Sequence, residues 1–309
     1  SEQVSELLGE RPYSCFVEKL YDAESLYEGY VVGDKSSFEK CYDTRVYRHY
    51  IDTGKFNTAP EGELMTRVLH DHGVSSLMRA FLKNYTEQQV VGIMGGHGLN
   101  RSDESYRRIA LLSKKLTEAG ALMVSGGGPG AMEATHLGAW LAGRSDEDLN
   151  EAFRILSVAE KFTDDLWLDS AFQVMQKFPR GNFESLGIPT WLYGHEPATP
   201  FASKIAKLFD NSIREDAVLT VPYGGIVYSP GSAGTLQEIF QDAVQNHYLN
   251  FGYASPMIFF GSEFWTKEVP VYSLMQFMLK TGKYKNLRLH LTDNPDEVVD
   301  IWKDFCKLF

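Results

Sequence analysis

From Gln89 onward the chain is a succession of short apolar runs, each closed by glycine and followed by an amphipathic stretch of about ten to fifteen residues. Parallel strands need crossover connections of roughly that length, usually helical, so the rhythm restricts the chain to a parallel sheet flanked by helices, an α/β fold. Strands are predicted at Val90–Met94, Ala121–Val124, Ile155–Val158, Thr190–Tyr193, Gly225–Tyr228, Met257–Phe260 and Leu287–Leu291. Helices are predicted at Asp103–Ala119, from the glycine turn at 125–130 through Ala142, and at Asp165–Gln176, Pro200–Val218, Ala233–Gln245, Glu263–Leu279 and Pro295–Cys306. Asp103 or Ser102 caps the first of these and Gly120 stops it.

Residues 1–87 read as a smaller, mainly helical N-terminal segment and 88–309 as the α/β domain. The clearest part of the first segment is Gly62–Leu82, where Leu64, Val68, Leu69, Val74, Leu77, Met78 and Phe81 recur as one apolar helix face, interrupted at Gly73. With 309 residues, 43% hydrophobic and 23% charged, the chain has the material for a sizeable core. Lys and Arg number 30 against 41 Asp and Glu, a net charge of −11, so a nucleic-acid polymer would be repelled. Cys15, Cys41 and Cys306 form no CxxC pair, which predicts a reducing, cytoplasmic location. The opening SEQVSELLGERPYS has acids and no apolar centre, unlike a secretory signal, and no apolar run approaches the roughly 18 residues of a membrane span.

Two glycine-rich strand-to-helix turns carry the chemistry, SGGGPGAMEA at 125–134 and SPGSAGTLQE at 229–238. Glycines at a helix start leave bare N–H groups and the positive end of the helix dipole facing an incoming anion, and phosphate suits such a place. In a parallel sheet both turns lie at the carboxyl ends of strands, where ligands bind. Neither is a GxxxxGK[ST] loop or a GxGxxG fingerprint, which removes the support for ATPase and nicotinamide readings. The turn after the first strand, Gly95 to Asn100, is either a mobile loop or a further ligand contact through Gly96 and His97. Glu238 follows Thr235 by one turn of helix. With phosphate on Gly231, Ser232, Gly234 and Thr235, its carboxylate falls roughly one ribose away, suited to glycosidic chemistry. The alternative is a solvent-facing glutamate favoured by the dipole.

The two turns, in this order and spacing, resemble the GGGxxGxM and PGGxGTxxE motifs of the Lonely Guy proteins, phosphoribohydrolases that split nucleoside 5′-monophosphates into free base and ribose 5-phosphate. The larger bacterial nucleotide 5′-monophosphate nucleosidases are more similar still, with an N-terminal region, a segment like HEPATPFASKI at 195–205 and an arginine-bearing helix like NSIREDAVL at 211–219. The likeness spans about residues 88 to 305. It implies a Rossmann-like nucleotide-binding domain and places Gly126, Gly127, Gly128 and Gly130 in the first motif. Pro230, Gly231, Gly234, Thr235 and Glu238 match the second, Arg214 the arginine that works with the motif glutamate, and Glu196 an acidic site residue. Ser232 departs from the pattern, which has glycine there; it either strains the turn, if its φ is positive, or donates a hydroxyl. The resemblance also implies a homodimer or larger assembly and no cofactor. The rival reading is a non-catalytic nucleotide sensor, or a carrier of a phosphorylated cofactor such as molybdenum cofactor. No lysine of the motif region is placed for the Schiff base of a decarboxylase.

No histidine pattern predicts a metal: His70 and His72 point to different helix faces and read as polar surface, and HExxH is absent. His136 reads as a packing or capping residue, whereas His97 and His195 sit beside motif loops. Tyr27, Tyr30, Tyr42, Tyr47 and Tyr50 form either a base-stacking platform or a packing layer.

Overall fold

The structure, a computed structural model, describes residues 9–56 and 58–309; part of the opening segment read above for a secretory signal lies outside them. Seven parallel strands form one sheet in the order β4-β3-β2-β1-β5-β6-β7. They are β1 Val90–Met94, β2 Leu122–Ser125, β3 Ser185–Gly187, β4 Lys204–Ile205, β5 Ile226–Tyr228, β6 Pro256–Phe260 and β7 Arg288–Thr292. The main helices are α1 Tyr42–Asp52, α2 Glu61–Leu82, α3 Glu104–Glu118, α4 Ala131–Trp140, α5 Asp146–Leu156, α6 Trp167–Lys177, α7 Asn211–Thr220, α8 Ala233–Tyr248, α9 Val271–Lys280 and α10 Pro295–Cys306. The protein is thus an α/β, Rossmann-like fold.

Because side chains alternate across a strand, each central strand feeds two apolar layers. Val90, Met94, Leu122, Val124, Ile226 and Tyr228 pack on one face, with Leu26, Tyr27, Val46, Tyr50, Val74 and Met78 of the N-terminal segment. Val91, Ile93, Met123 and Val227 pack on the other, against Ile109, Leu112, Leu137, Phe153 and Trp302 of the helices. Residues before β1 therefore share the core of the sheet. Tyr27 and Tyr50 are buried in it and Tyr42 and Tyr47 pack at its margin, which is the packing-layer alternative; Tyr30 packs at the margin and also lines a cavity. No helix among the described residues is long and apolar enough to cross a membrane.

Several predicted elements differ. Ile155 and Leu156 end α5, whose start is capped by Ser145 accepting from the Asp148 N–H, and are not in a strand. Thr190 is extended, but Trp191–Tyr193 forms a short 3-10 turn. The Pro200–Val218 stretch holds β4, and its helix begins only at Asn211, where Asp210 accepts the Ser212 N–H at 2.8 Å. β3 and β4 are only three and two residues long and, unlike the equally short β5, are not a continuous apolar run, which leaves no pattern to read. Pro270 divides the predicted Glu263–Leu279 helix, since its ring has no N–H and fixes φ, into a short turn at Phe264–Glu268 and α9.

Helix α2 departs from expectation in its first half only: Val74 and Met78 are buried as expected, but Val68 and Leu69, assigned to the same inner face, are 61% and 39% exposed, and Glu63, Thr66, Arg67, His70 and Asp71 are buried there instead. The polar side can point inward because most of its polar atoms find partners, Arg67 through its Nη1 and Nη2 donors to Lys55 O and Thr53 Oγ1. The Tyr13 hydroxyl lies 2.8 Å from Thr66 Oγ1 and donates to Glu63, and Tyr21 Oη is 2.9 Å from His70 Nε2. Asp71 accepts the N–H groups of Phe209 and Asp210 at 3.0 and 2.8 Å. His70 is accordingly a core residue, not polar surface, while His72 is exposed.

Candidate functional site

With every strand parallel, the turns after β1, β2 and β5 open on one edge of the sheet, and β1 lies between the other two. The chain leaves β1 toward β2 and β5 toward β6, so the neighbours β1 and β5 form the point where strand order reverses and connections part, the usual ligand crevice of an open α/β sheet. A cleft of about 330 Å³ lies there, lined by Gly95, Gly96, Met132, Arg214, Glu238 and the first turn of α8, from Ser232 to Thr235. That volume falls in the range of roughly 300–1,000 Å³ usual for small-molecule sites.

The two glycine turns are not equivalent. The turn at 126–130 is buried, and its polar groups are engaged by the protein. Gly126 O accepts from Arg214 Nη2 at 3.2 Å, Gly127 O from Thr199 N at 2.9 Å, and the Gly127 N–H donates to Ser125 Oγ at 3.1 Å. The Gly128 N–H lies against Met132 Sδ, 3.4 Å away. A β-carbon on Gly130, whose φ is +66°, would sit 2.5 Å from Gly96 O. Glycine at Gly127 and Gly130 thus serves close backbone packing, and Met132 rather than these glycines faces the cleft.

The second turn does open into the cleft. Gly96 N donates to Pro230 O at 3.1 Å, joining the β1 turn to it, and a β-carbon on Gly231 would lie 2.2 Å from Thr235 Oγ1. Ser232, Ala233 and Gly234 are exposed. The first N–H groups of a helix have no intrahelical partner, so α8 presents donors and the positive end of its dipole to the cavity. Ser232 has φ −116°, an ordinary conformation, so the strain allowed for in the sequence does not arise, and its hydroxyl makes no capping hydrogen bond. We expect Ser232→Gly to leave the unfolding free energy within about 0.5 kcal/mol of the parent, measured by urea denaturation. Gly234 has open space around its α-carbon and is not sterically required.

Glu238 reaches the same cleft one turn further along α8. Burial pushes its carboxyl up to about 7; Arg214 pulls it down and Glu215 raises it. Arg214 acts on it from a distance, because its guanidinium is engaged by Ile188 O at 2.8 Å and by Gly126 O. At the mouth, Glu196 Oε1 lies 3.8 Å from His97 Nε2 and 3.9 Å from His195 Nε2. Sequence reasoning missed Tyr193, Gln237 and Gln241, which also line the cleft. Gln241 carried a usable signal, since a residue three after Glu238 shares its helix face.

Behind the first turn, His136 is wholly buried between Ser125 Oγ (2.8 Å) and Ser185 Oγ (2.9 Å), and desolvation lowers its pKa to about 3. A folded-state pKa depressed below the usual 6.5 means that the unfolded chain binds the proton more readily. The stability is present in full above pH 6.5 and is lost as pH falls toward 3. Between pH 7 and 4.5 we expect this residue to account for a loss on the order of 2 kcal/mol, seen as a pH-dependent urea midpoint that His136→Gln flattens.

The fold and cleft define a Rossmann-like α/β protein with an open helix start and a half-buried carboxyl at its switch point. No family model matches the chain, and no curated protein matches it significantly. Solved structures with a similar fold include the molybdenum cofactor binding protein of the phototrophic bacterium Rippkaea orientalis, 13% identical with a TM-score of 0.43, over 70% of this chain and 96% of that one. Another is the Moco carrier protein of Chlamydomonas reinhardtii, 14% identical with a TM-score of 0.45, over 71% and 98%.

Proposed function

We propose that the cleft binds a nucleoside 5′-monophosphate and that the protein hydrolyses its N-glycosidic bond, as the motif resemblance to the Lonely Guy proteins implies. The observation that carries this reading is the Glu238 carboxyl, lodged in the same cleft as the open start of α8. The 5′-phosphate rests on the N–H groups of the turn at 231–234 and on the Thr235 hydroxyl. Glu238, as carboxylate, faces the ribose C1 and stabilises the positive charge that grows there as the C1–N bond breaks; water adds to C1 and its proton passes to the departing base. Phosphate binding away from the broken bond orients the sugar.

A second reading, a binder or carrier of a phosphorylated ligand, is favoured by one feature. The Arg214 guanidinium is held by two backbone carbonyls and is not free to follow a leaving group. Molybdenum-cofactor carriage, named for the structures of similar fold, belongs to this second reading. Incubating the protein with a panel of nucleoside monophosphates separates the two. Release of free base and ribose 5-phosphate from any member supports hydrolysis, and saturable binding without release supports the carrier.

A further inference from the structure

Two smaller cavities neighbour the cleft through shared wall residues. His97 lines both the cleft and a cavity of about 150 Å³ bounded by Asn100, Gly130 and Trp167; Phe162, Thr163 and Trp167 then line both that cavity and a third, of about 170 Å³, closed by Tyr30 and Phe38. Resting on the phosphate-site reading above, we infer that this row is one ligand channel and that its far end is an aromatic subsite for the planar heterocycle of the phosphorylated ligand.

Three observations support the assignment. The walls are built rigidly by one buried cation, Arg101, which is 1% exposed. Its N–H donates to Glu160 O at 3.1 Å, and its guanidinium donates to Trp167 O at 3.0 Å and pairs with Glu133 at 2.5 Å. The same residue lies over the Trp167 ring at 4.7 Å. It therefore ties the loop after β1, the loop at 159–167 and α4 together around the channel. The far cavity is also walled by the rings of Tyr30, Phe38, Phe162 and Trp167, a lining suited to stacking a flat π-system. Charge fixes which end of the ligand lies where: Glu39, Asp164 and Asp165 against Lys35 make the far cavity unfavourable to phosphate, whereas the α8 start favours it. Lys35 pairs with Asp165, and Tyr30 donates to Asp169, so the N-terminal segment is fastened over this subsite and supplies part of its wall. That segment acquires a role in selecting the ring.

The test titrates AMP and ribose 5-phosphate by calorimetry into the full chain carrying Glu238→Gln, which slows turnover. In that background Thr163→Trp fills the channel from an exposed position, and Phe162→Ala removes one ring; melting temperatures verify that both fold. We expect AMP to bind more tightly than ribose 5-phosphate, both substitutions to weaken AMP by roughly tenfold, and ribose 5-phosphate to be unaffected. If ribose 5-phosphate binds but AMP is no tighter, or the substitutions leave AMP unchanged or weaken both ligands equally, the aromatic subsite is wrong and the phosphate site stands. If ribose 5-phosphate itself does not bind, the phosphate-site reading fails and the subsite with it.

Discussion

Glu238→Gln is expected to slow release of free base by about 10²- to 10⁴-fold while nucleotide affinity is retained, because glutamine keeps the shape of the side chain and removes only its charge. The parent's kcat should rise with pH through about 7, where the Glu238 carboxyl gives up its proton, and the residual activity of the variant should lose that limb. Stability moves the other way. An acid whose folded-state pKa is raised from 4.5 to about 7 destabilises the fold progressively across that window and fully above it. Glu238→Gln should therefore be the more stable protein at pH 8, by up to about 3 kcal/mol, and show no gain near pH 4. Stopped assays for free base and paired urea titrations at the two pH values check both halves. Undiminished turnover would remove Glu238 from the chemistry.

Arg101→Met should cost about 3–5 kcal/mol, the largest stability loss expected of a single substitution here. The reason is less the lost attraction than what is stranded: Glu133 is as buried as Arg101 and would lose its cationic partner. The carbonyls of Ala159 and Trp167 and the Ser170 hydroxyl lose their donor as well. Adding Glu133→Gln to Arg101→Met should recover part of the loss, since the stranded carboxylate is then gone. Chemical denaturation of the two single variants and the double variant measures this, and additivity of the two losses would show that the pair is not coupled.

Much of the architecture was legible along the chain. The runs at Val90–Met94, Gly225–Tyr228 and Met257–Phe260 contain or overlap strands buried on both faces of the sheet, and continuous apolarity is how such strands read, whereas Leu287–Leu291 overlaps the edge strand β7 and alternates apolar with polar residues. Helix α10 begins at Pro295 and ends at Cys306 as its residues suggest, with Asn294 capping the Asp296 N–H and proline in the first turn. The glycine turns were visible for the same reason, since strand-to-helix turns this tight exclude side chains. Their difference in use was not visible. Whether a turn opens to a cavity or closes against Met132 and Arg214 depends on residues 4 and 88 positions from its Gly128 and Gly126 partners.

Sequence by itself determined the clear periodicities: the central strands β1, β2, β5 and β6 and the longer helices of the α/β domain, where backbone must pass close to backbone, and that a carboxyl stands one turn behind a helix start. These follow from local sterics and from the side-chain repeat along a strand or helix, which need no partner. Tertiary structure alone decided that polar residues of the first half of α2 turn inward, that of the two glycine turns only the second borders the cleft, and that the N-terminal segment packs against the loop at 159–167. Those outcomes rest on pairing between distant groups such as Asp71 with the Phe209 N–H, or Lys35 with Asp165, and such pairs exist only once the chain has folded.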